Sequence, residues 1–233
     1  VTGGALEDWL QGAGGDDVLR GEGGNDFIRG SDGNDQAFGG EGDDIINDAG
    51  AGDDRFWGGS GNDQVENAVG ADQLWGEAGN DTFLMLADDG AGDVINGGEG
   101  FDTVHYGYTA ASMYLDLTKP ATNLGAAAND TYSSIEAFIG TQHNDVMLGN
   151  GAANHLSGGG ADDVLSGRAG NDWLDGGDGS DTLTGGTGRD VFVLESGDSY
   201  YSDWAADVIT DFTRGEDKLE IPANWEYASL TGT

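Results

Sequence analysis

The stretch Gly39-Gly40-Glu41-Gly42-Asp43-Asp44-Ile45-Ile46-Asn47 decides how the chain folds. Upstream, Gly21-Glu22-Gly23-Gly24-Asn25-Asp26-Phe27-Ile28-Arg29 has the same form, so a nine-residue unit is visible: G-G-x-G-x-D-x-U-x, with U apolar. Working outward, the sixth-position acids fall at Asp8, Asp17, Asp26, Asp35 and Asp44, then after one extra residue at Asp54, Asp63, Asp72 and Asp81. A degenerate unit follows at Asp93 and a good one at Asp102. A second block runs through Asp145, Asn154, Asp163, Asp172, Asp181 and Asp190. The U positions are Leu10, Leu19, Ile28, Ala37, Ile46, Phe56, Val65, Leu74, Phe83, Ile95 and Val104, then Met147, Leu156, Leu165, Leu174, Leu183 and Phe192. All seventeen units keep the apolar residue in phase, which a solvated low-complexity tract has no reason to do.

This spacing predicts a three-residue strand with its middle side chain inward, followed by a six-residue glycine-rich turn, two units completing one coil. Successive strands then alternate between two parallel sheets, with the U row filling the narrow gap. Because the sides alternate, carboxylates two units apart stack: Asp17 over Asp35, Asp26 over Asp44, Asp63 over Asp81, Asp163 over Asp181, Asp172 over Asp190. At a parallel-strand spacing of roughly 4.8 Å, bare carboxylates repel. The turn also directs carbonyl oxygens into the same space, and an irregular all-oxygen cage suits calcium better than magnesium, which keeps its waters and an octahedral shell. One ion joining each unit to the next but one gives about 13 ions and about +26 of charge.

The composition supports this independently. Of 233 residues, 44 are acidic and 8 basic, a formal charge of -36 that opposes compaction and repels nucleic acid and anionic surfaces. About 13 divalent ions would bring this to about -10, which a folded domain tolerates. With 36% apolar residues a thick core is not expected. The absence of cysteine excludes disulfide and thiolate-zinc scaffolds. No apolar run is long enough to span a membrane, and no leader is visible. Because Gly3-Gly4 already lies inside a repeat, the chain reads as part of a longer protein.

At the G-G-x-G-x-D-x-U-x units, over about 150 residues, the chain resembles the repeats-in-toxin (RTX) family. The resemblance implies an all-β, right-handed parallel β-roll that folds on binding calcium. It also implies a secreted or cell-surface bacterial protein exported by type I secretion machinery. Carried onto this chain, the family's ligands are the turn carbonyls and Asp17, Asp26, Asp35, Asp44, Asp54, Asp63, Asp72, Asp81, Asp102, Asp145, Asp163, Asp172, Asp181 and Asp190. Departures are Leu6 and Ala161 at the fourth position, the shifted glycines around Asp93, and Asn154 at the sixth. The expected organisation is a first block over 1–105, a spacer over 106–140 that continues the stack, a second block over 141–193 and a capping segment over 194–233. The spacer holds strand-like runs at 113–117 and 134–139. Its Ser134-Ile135-Glu136 and Asn144-Asp145 resemble the elements that rejoin such rolls. In the carboxyl-terminal segment, 207–212 and 217–221 resemble the family's closing strands, with Asp207 and Asp211 candidates for a terminal ion.

No catalytic constellation assembles. The metalloprotease and nucleophile-elbow motifs are missing, and His105, His143 and His155 fall at surface positions. The chain is therefore expected not to be an enzyme, although it could serve as the non-catalytic tail of a protease, lipase or epimerase. A second reading comes from the outward rows. Phe38, Trp57 and Trp75 should form one ladder and Trp9, Phe27 and Ile45 another, able either to bind a surface glycan or partner protein, as an adhesin would, or to brace neighbouring coils.

Overall fold

A computed structural model describes residues 1–48, 50–87, 90–194 and 207–221. Among them the secondary structure is almost wholly strand, the one helical turn being a 3-10 segment at Pro120–Thr122. Among the described residues no helix is long and apolar enough to cross a membrane.

One side of the roll is a continuous eleven-stranded parallel sheet, with strands beginning at Trp9, Phe27, Ile45, Gln64, Thr82, Thr103, Ala137, His155, Trp173, Val191 and Lys218. The opposite side is two six-stranded sheets. The first carries strands from Val18 to the one at Thr131–Ser133, and the second runs from Leu124–Gly125 through Met113–Asp116 to Val208–Ile209. The spacer thus continues the stack on one side and divides the sheet on the other, where continuation with longer loops was expected. The second sheet is headed by Leu124–Gly125, the one antiparallel neighbour among the described strands.

All seventeen U positions are buried, in register between successive coils: Leu19 over Ala37, Ala37 over Phe56, Phe56 over Leu74. Single inward residues suffice because the two sheets are close enough for one row from each to fill the space. Many strands run for six residues rather than three, as in Val18–Gly23. Pairing therefore continues into the turn, with Glu22 beside Gly40 and Gly23 beside Glu41. The second turn residue takes the left-handed conformation. Gly40 has φ 121°, but Ala13, Glu22, Ser31, Glu77 and Arg168 accept it with a side chain.

The carboxyl-terminal strands at Val208–Ile209 and Lys218–Glu220 pair with the last repeat strands on either side, as the sequence suggests. Most of the expected capping segment, at 195–206 and 222–233, lies outside the described residues.

Candidate metal-binding turns

Except at His155–Gly160, which follows Asn154, each repeat strand is preceded by its sixth-position acid, so the coil repeat lines these acids up at the edge of each sheet. Their contact is more specific than stacking. One carboxylate oxygen accepts the backbone N–H of the acid one coil earlier: Asp17 N to Asp35 Oδ1 at 2.8 Å, Asp26 N to Asp44 at 2.8 Å, Asp63 N to Asp81 at 2.8 Å, Asp163 N to Asp181 at 2.8 Å and Asp172 N to Asp190 at 2.9 Å. Asp35 and Asp44 reach Asp54 and Asp63 in the same way across the inserted residue. All five expected pairs are brought together.

The second oxygen is left over. Oδ2 of Asp26, Asp35, Asp44, Asp54, Asp63, Asp81, Asp102, Asp163, Asp172 and Asp181 is buried with no hydrogen-bond partner in the protein. A buried polar atom without a partner costs on the order of 1–3 kcal/mol, more when charged, so an arrangement repeated this often requires a counterpart. This oxygen folds back onto the first glycine of its own turn. A Cβ on Gly58 would strike Asp63 Oδ2, and one on Gly158 would strike both Asp163 Oδ2 and the Gly176 carbonyl. The fourth-position carbonyls aim from coil to coil as well: a Cβ on Gly42, Gly61 or Gly79 would meet the carbonyl of Gly24, Gly42 or Gly61. Close approach of oxygen atoms therefore favours glycine at the first and fourth positions of these turns.

The donor set fits calcium: carboxylate and carbonyl oxygens at hydrogen-bonded, rigid positions, with no nitrogen or sulfur. Among the described residues no group of three or more His, Cys, Asp or Glu side chains is arranged to hold a metal unaided, so backbone carbonyls would have to complete each shell.

The electrostatics agree. Burial, opposed by the backbone N–H bond and reinforced by neighbouring carboxylates, raises Asp44 and Asp81 to about 6, Asp63 to about 7 and Asp163 to about 8. Asp172 and Asp181 rise to about 6 for the same first reason. Two charges about 5 Å apart at an effective dielectric near 20 repel by about 3 kcal/mol, so several such pairs exceed the roughly 5–15 kcal/mol stability of an ordinary domain. At neutral pH the ladder must therefore acquire protons or cations.

Some turns differ. Asp145 has both oxygens occupied, accepting from Met113 N at 2.7 Å and Thr141 N at 2.6 Å. Asp54 and Asp72 belong to turns whose first glycine is replaced by buried Asp48 and Asn67, and Asn67 donates to Asp93 at 2.9 Å. Burial raises both Asp48 and Asp54. Ala161 keeps the left-handed geometry of the glycine it replaces, with φ 71°.

Sequence reasoning missed further members of the ladder. Asp130 Oδ1 accepts Asp93 N at 3.0 Å, Glu136 accepts Asp102 N at 2.9 Å, and Asp217 accepts Asp190 N at 3.1 Å. Each begins an acid-x-apolar triplet, Asp130-x-Tyr132, Glu136-x-Phe138 and Asp217-x-Leu219, which would have revealed them without the glycines. Asp207 joins the ladder by accepting Asp181 N at 3.1 Å, whereas Asp211 binds the N–H groups of Gly185 and Gly186.

Both aromatic ladders form. Phe38, Trp57 and Trp75 stack face to face, with centroids 4.5 and 4.7 Å apart and planes within 2° and 6°, and Arg20 covers the free face of Phe38 at 4.1 Å. Trp9 and Phe27 are tilted by 33° at 4.3 Å. His105 and His155 sit half-buried on outward strand positions, with burial lowering both.

Among known families, one described as an RTX calcium-binding nonapeptide repeat, in four copies, matches residues 2–37, 23–47, 29–65, 68–84, 88–105, 139–174 and 166–200. No curated protein matches the chain.

Proposed function

The chain belongs to the RTX calcium-binding nonapeptide-repeat family, and from that premise we propose that it is a structural module whose folding is driven by calcium outside the cell. The observation that carries this is the row of buried Oδ2 atoms without protein partners. The ligands in this reading are the sixth-position aspartates named from the sequence other than Asp145, whose two oxygens are both occupied, joined by Glu136 and Asp207 at the spacer and the carboxyl end. Bound calcium supplies positive charge between carboxylates, while the chain supplies the oxygen atoms, the glycine clearance and the in-register coils that hold them. Ligand binding and folding are then one event, because the cage exists only when coils stack. In a calcium-poor cytosol the chain stays extended and anionic, suited to type I export. Outside, folding opposes back-sliding and gives extracellular stability.

The role is structural rather than catalytic in this reading, and the aromatic ladder supports the same assignment. Both faces of Phe38 and of Trp57 are taken by neighbouring rings and Arg20, whereas a sugar needs an open face. The test is a calcium titration followed by far-UV circular dichroism and sedimentation, with magnesium as control. Conversion from an expanded coil to a compact β form by calcium alone is expected. Equal compactness in chelator at neutral pH would sink the proposal.

A further inference from the structure

At the head of the second block, one gap between turns is filled from within. The strands Met113–Asp116, Val146–Leu148 and Val164–Ala169 stack in register, with Asp116 beside Leu148 and Leu148 beside Ser166. The segments that follow them lie one above another. From the third, Arg168 reaches back past the second to the first. Its Nη1 donates to Asp116 Oδ1 at 2.8 Å and Nη2 to Asp116 Oδ2 at 2.9 Å, a bidentate pair. Nη1 also reaches Thr118 Oγ1 at 2.8 Å and the Gly149 carbonyl at 2.7 Å. A carboxylate, a hydroxyl and a turn carbonyl are the kinds of oxygen that a bound cation would otherwise collect.

We propose that the Arg168 guanidinium is a tethered cation standing in for calcium between the 116–123 connection and the 149–154 turn. The inference rests on the calcium reading of the other turns. Three observations carry it. First, the charge matches: the 149–154 turn ends in neutral Asn154 instead of an aspartate, leaving buried Asp116 as the carboxylate to be balanced by one positive charge. Calcium added beside the guanidinium would place +3 around a single carboxylate. Second, both Asp116 oxygens are occupied, Oδ1 also accepting from Thr118 N at 2.9 Å and Thr118 Oγ1 at 2.7 Å, in contrast with the unpartnered Oδ2 atoms of the repeats. Third, Arg168 occupies the second turn position with φ 75°, where Gly159, Gly177 and Gly186 occupy the equivalent places. Ala13, Glu22, Ser31 and Glu77 take the same turn conformation elsewhere, so the backbone admits a side chain at this position, and here that side chain is spent on Asp116. The consequence is a second block whose first gap is closed by the chain itself, so that its head requires no ion.

The test compares Asn154→Asp with the double variant Asn154→Asp/Arg168→Gly, full chain in each case, counting bound calcium by native mass spectrometry at saturation. The double variant restores the repeat's own turn and relieves the left-handed strain, so it is expected to fold and to bind one more ion than the single variant. Equal counts would overturn the proposal. Terbium-loaded crystals of the unaltered chain provide a test independent of the variants: anomalous peaks are expected along the repeats and none within coordination distance of Asp116, and a peak there would overturn it. If no calcium or terbium binds anywhere, the failure belongs to the calcium reading itself.

Discussion

Asp63 and Asp116 are both buried carboxylates on the same roll, and their surroundings push them in opposite directions. Burial, with Asp81 and Asp44 adding repulsion, lifts Asp63 to about 7. Hydrogen bonds from Arg168 outweigh burial at Asp116 and hold it well below the usual carboxylate range. The repeats thus store uncompensated negative charge, whereas the head of the second block closes its own balance. The difference teaches which part of the molecule needs an external cation: burying an acid does not create the requirement, but burying it beside other acids with an oxygen left over does.

The largest effect separating the two regions concerns pH without metal. Because the ladder carboxylates are raised when folded, their contribution is fully present below the ordinary carboxylate value of about 4 and is lost as pH rises through roughly 6 to 8. The chain in chelator is therefore expected to be compact near pH 4 and expanded at pH 8, as read by circular dichroism and sedimentation. Unchanged compactness across that range would remove ladder charge as the cause. Asp116 runs the other way, since its lowered value makes its contribution present at neutral pH and lost only in strong acid.

Smaller, and confined to the repeats, is the effect of Gly158→Ala. The added Cβ collides with Asp163 Oδ2 and the Gly176 carbonyl. A loss of about 1–3 kcal/mol, with fewer ions bound, is expected in calcium-loaded chemical denaturation. Gly151, with open space beside it, accepts alanine without change, and equal behaviour of the two variants would break the close-approach argument.

Asp116→Asn removes the ion pair while keeping the shape. Discounted for the partial exposure of Arg168, the expected cost is about 1–2 kcal/mol, with the calcium count unchanged, whereas Asp63→Asn lowers the count. A lowered count for Asp116→Asn would erase the contrast between the regions. The smallest effect is expected from Trp57→Ala, which loses stacking worth about 1 kcal/mol and leaves calcium affinity intact. Loss of glycan or partner binding at unchanged stability would instead favour the adhesive role.

Much of the ladder could be read directly because its contacts recur at one separation. Asp17 to Asp35 and Asp163 to Asp181 are both 18 residues apart, and the slip at Asp54 makes the contact from Asp35 one of 19. Asp130 escaped notice because its bond to Asp93 spans 37 residues, and Glu136 because its bond to Asp102 spans 34. Neither has a glycine-rich turn immediately before it, although each keeps the acid-x-apolar order. The interior at the spacer was likewise hidden. Tyr106 is fully buried, with its hydroxyl donating to Asp130 at 2.6 Å, where the preceding coils on that side have Asp48, Asn67 and Met85.

By itself the sequence determined the nine-residue period, the inward row, the two-sided alternation and the acids that line the turns. These are properties of a repeating coil, in which each unit meets its neighbours at a constant offset and one good unit predicts the rest. Only the tertiary structure decided that the spacer keeps one sheet whole while dividing the other, that in ladder carboxylates such as Asp63 and Asp163 one oxygen binds a backbone N–H while the other is left over, and that Arg168 closes on Asp116 from 52 residues away. These depend on how irregular loops return the chain to the stack, and loop closure has no period from which spacing could predict it.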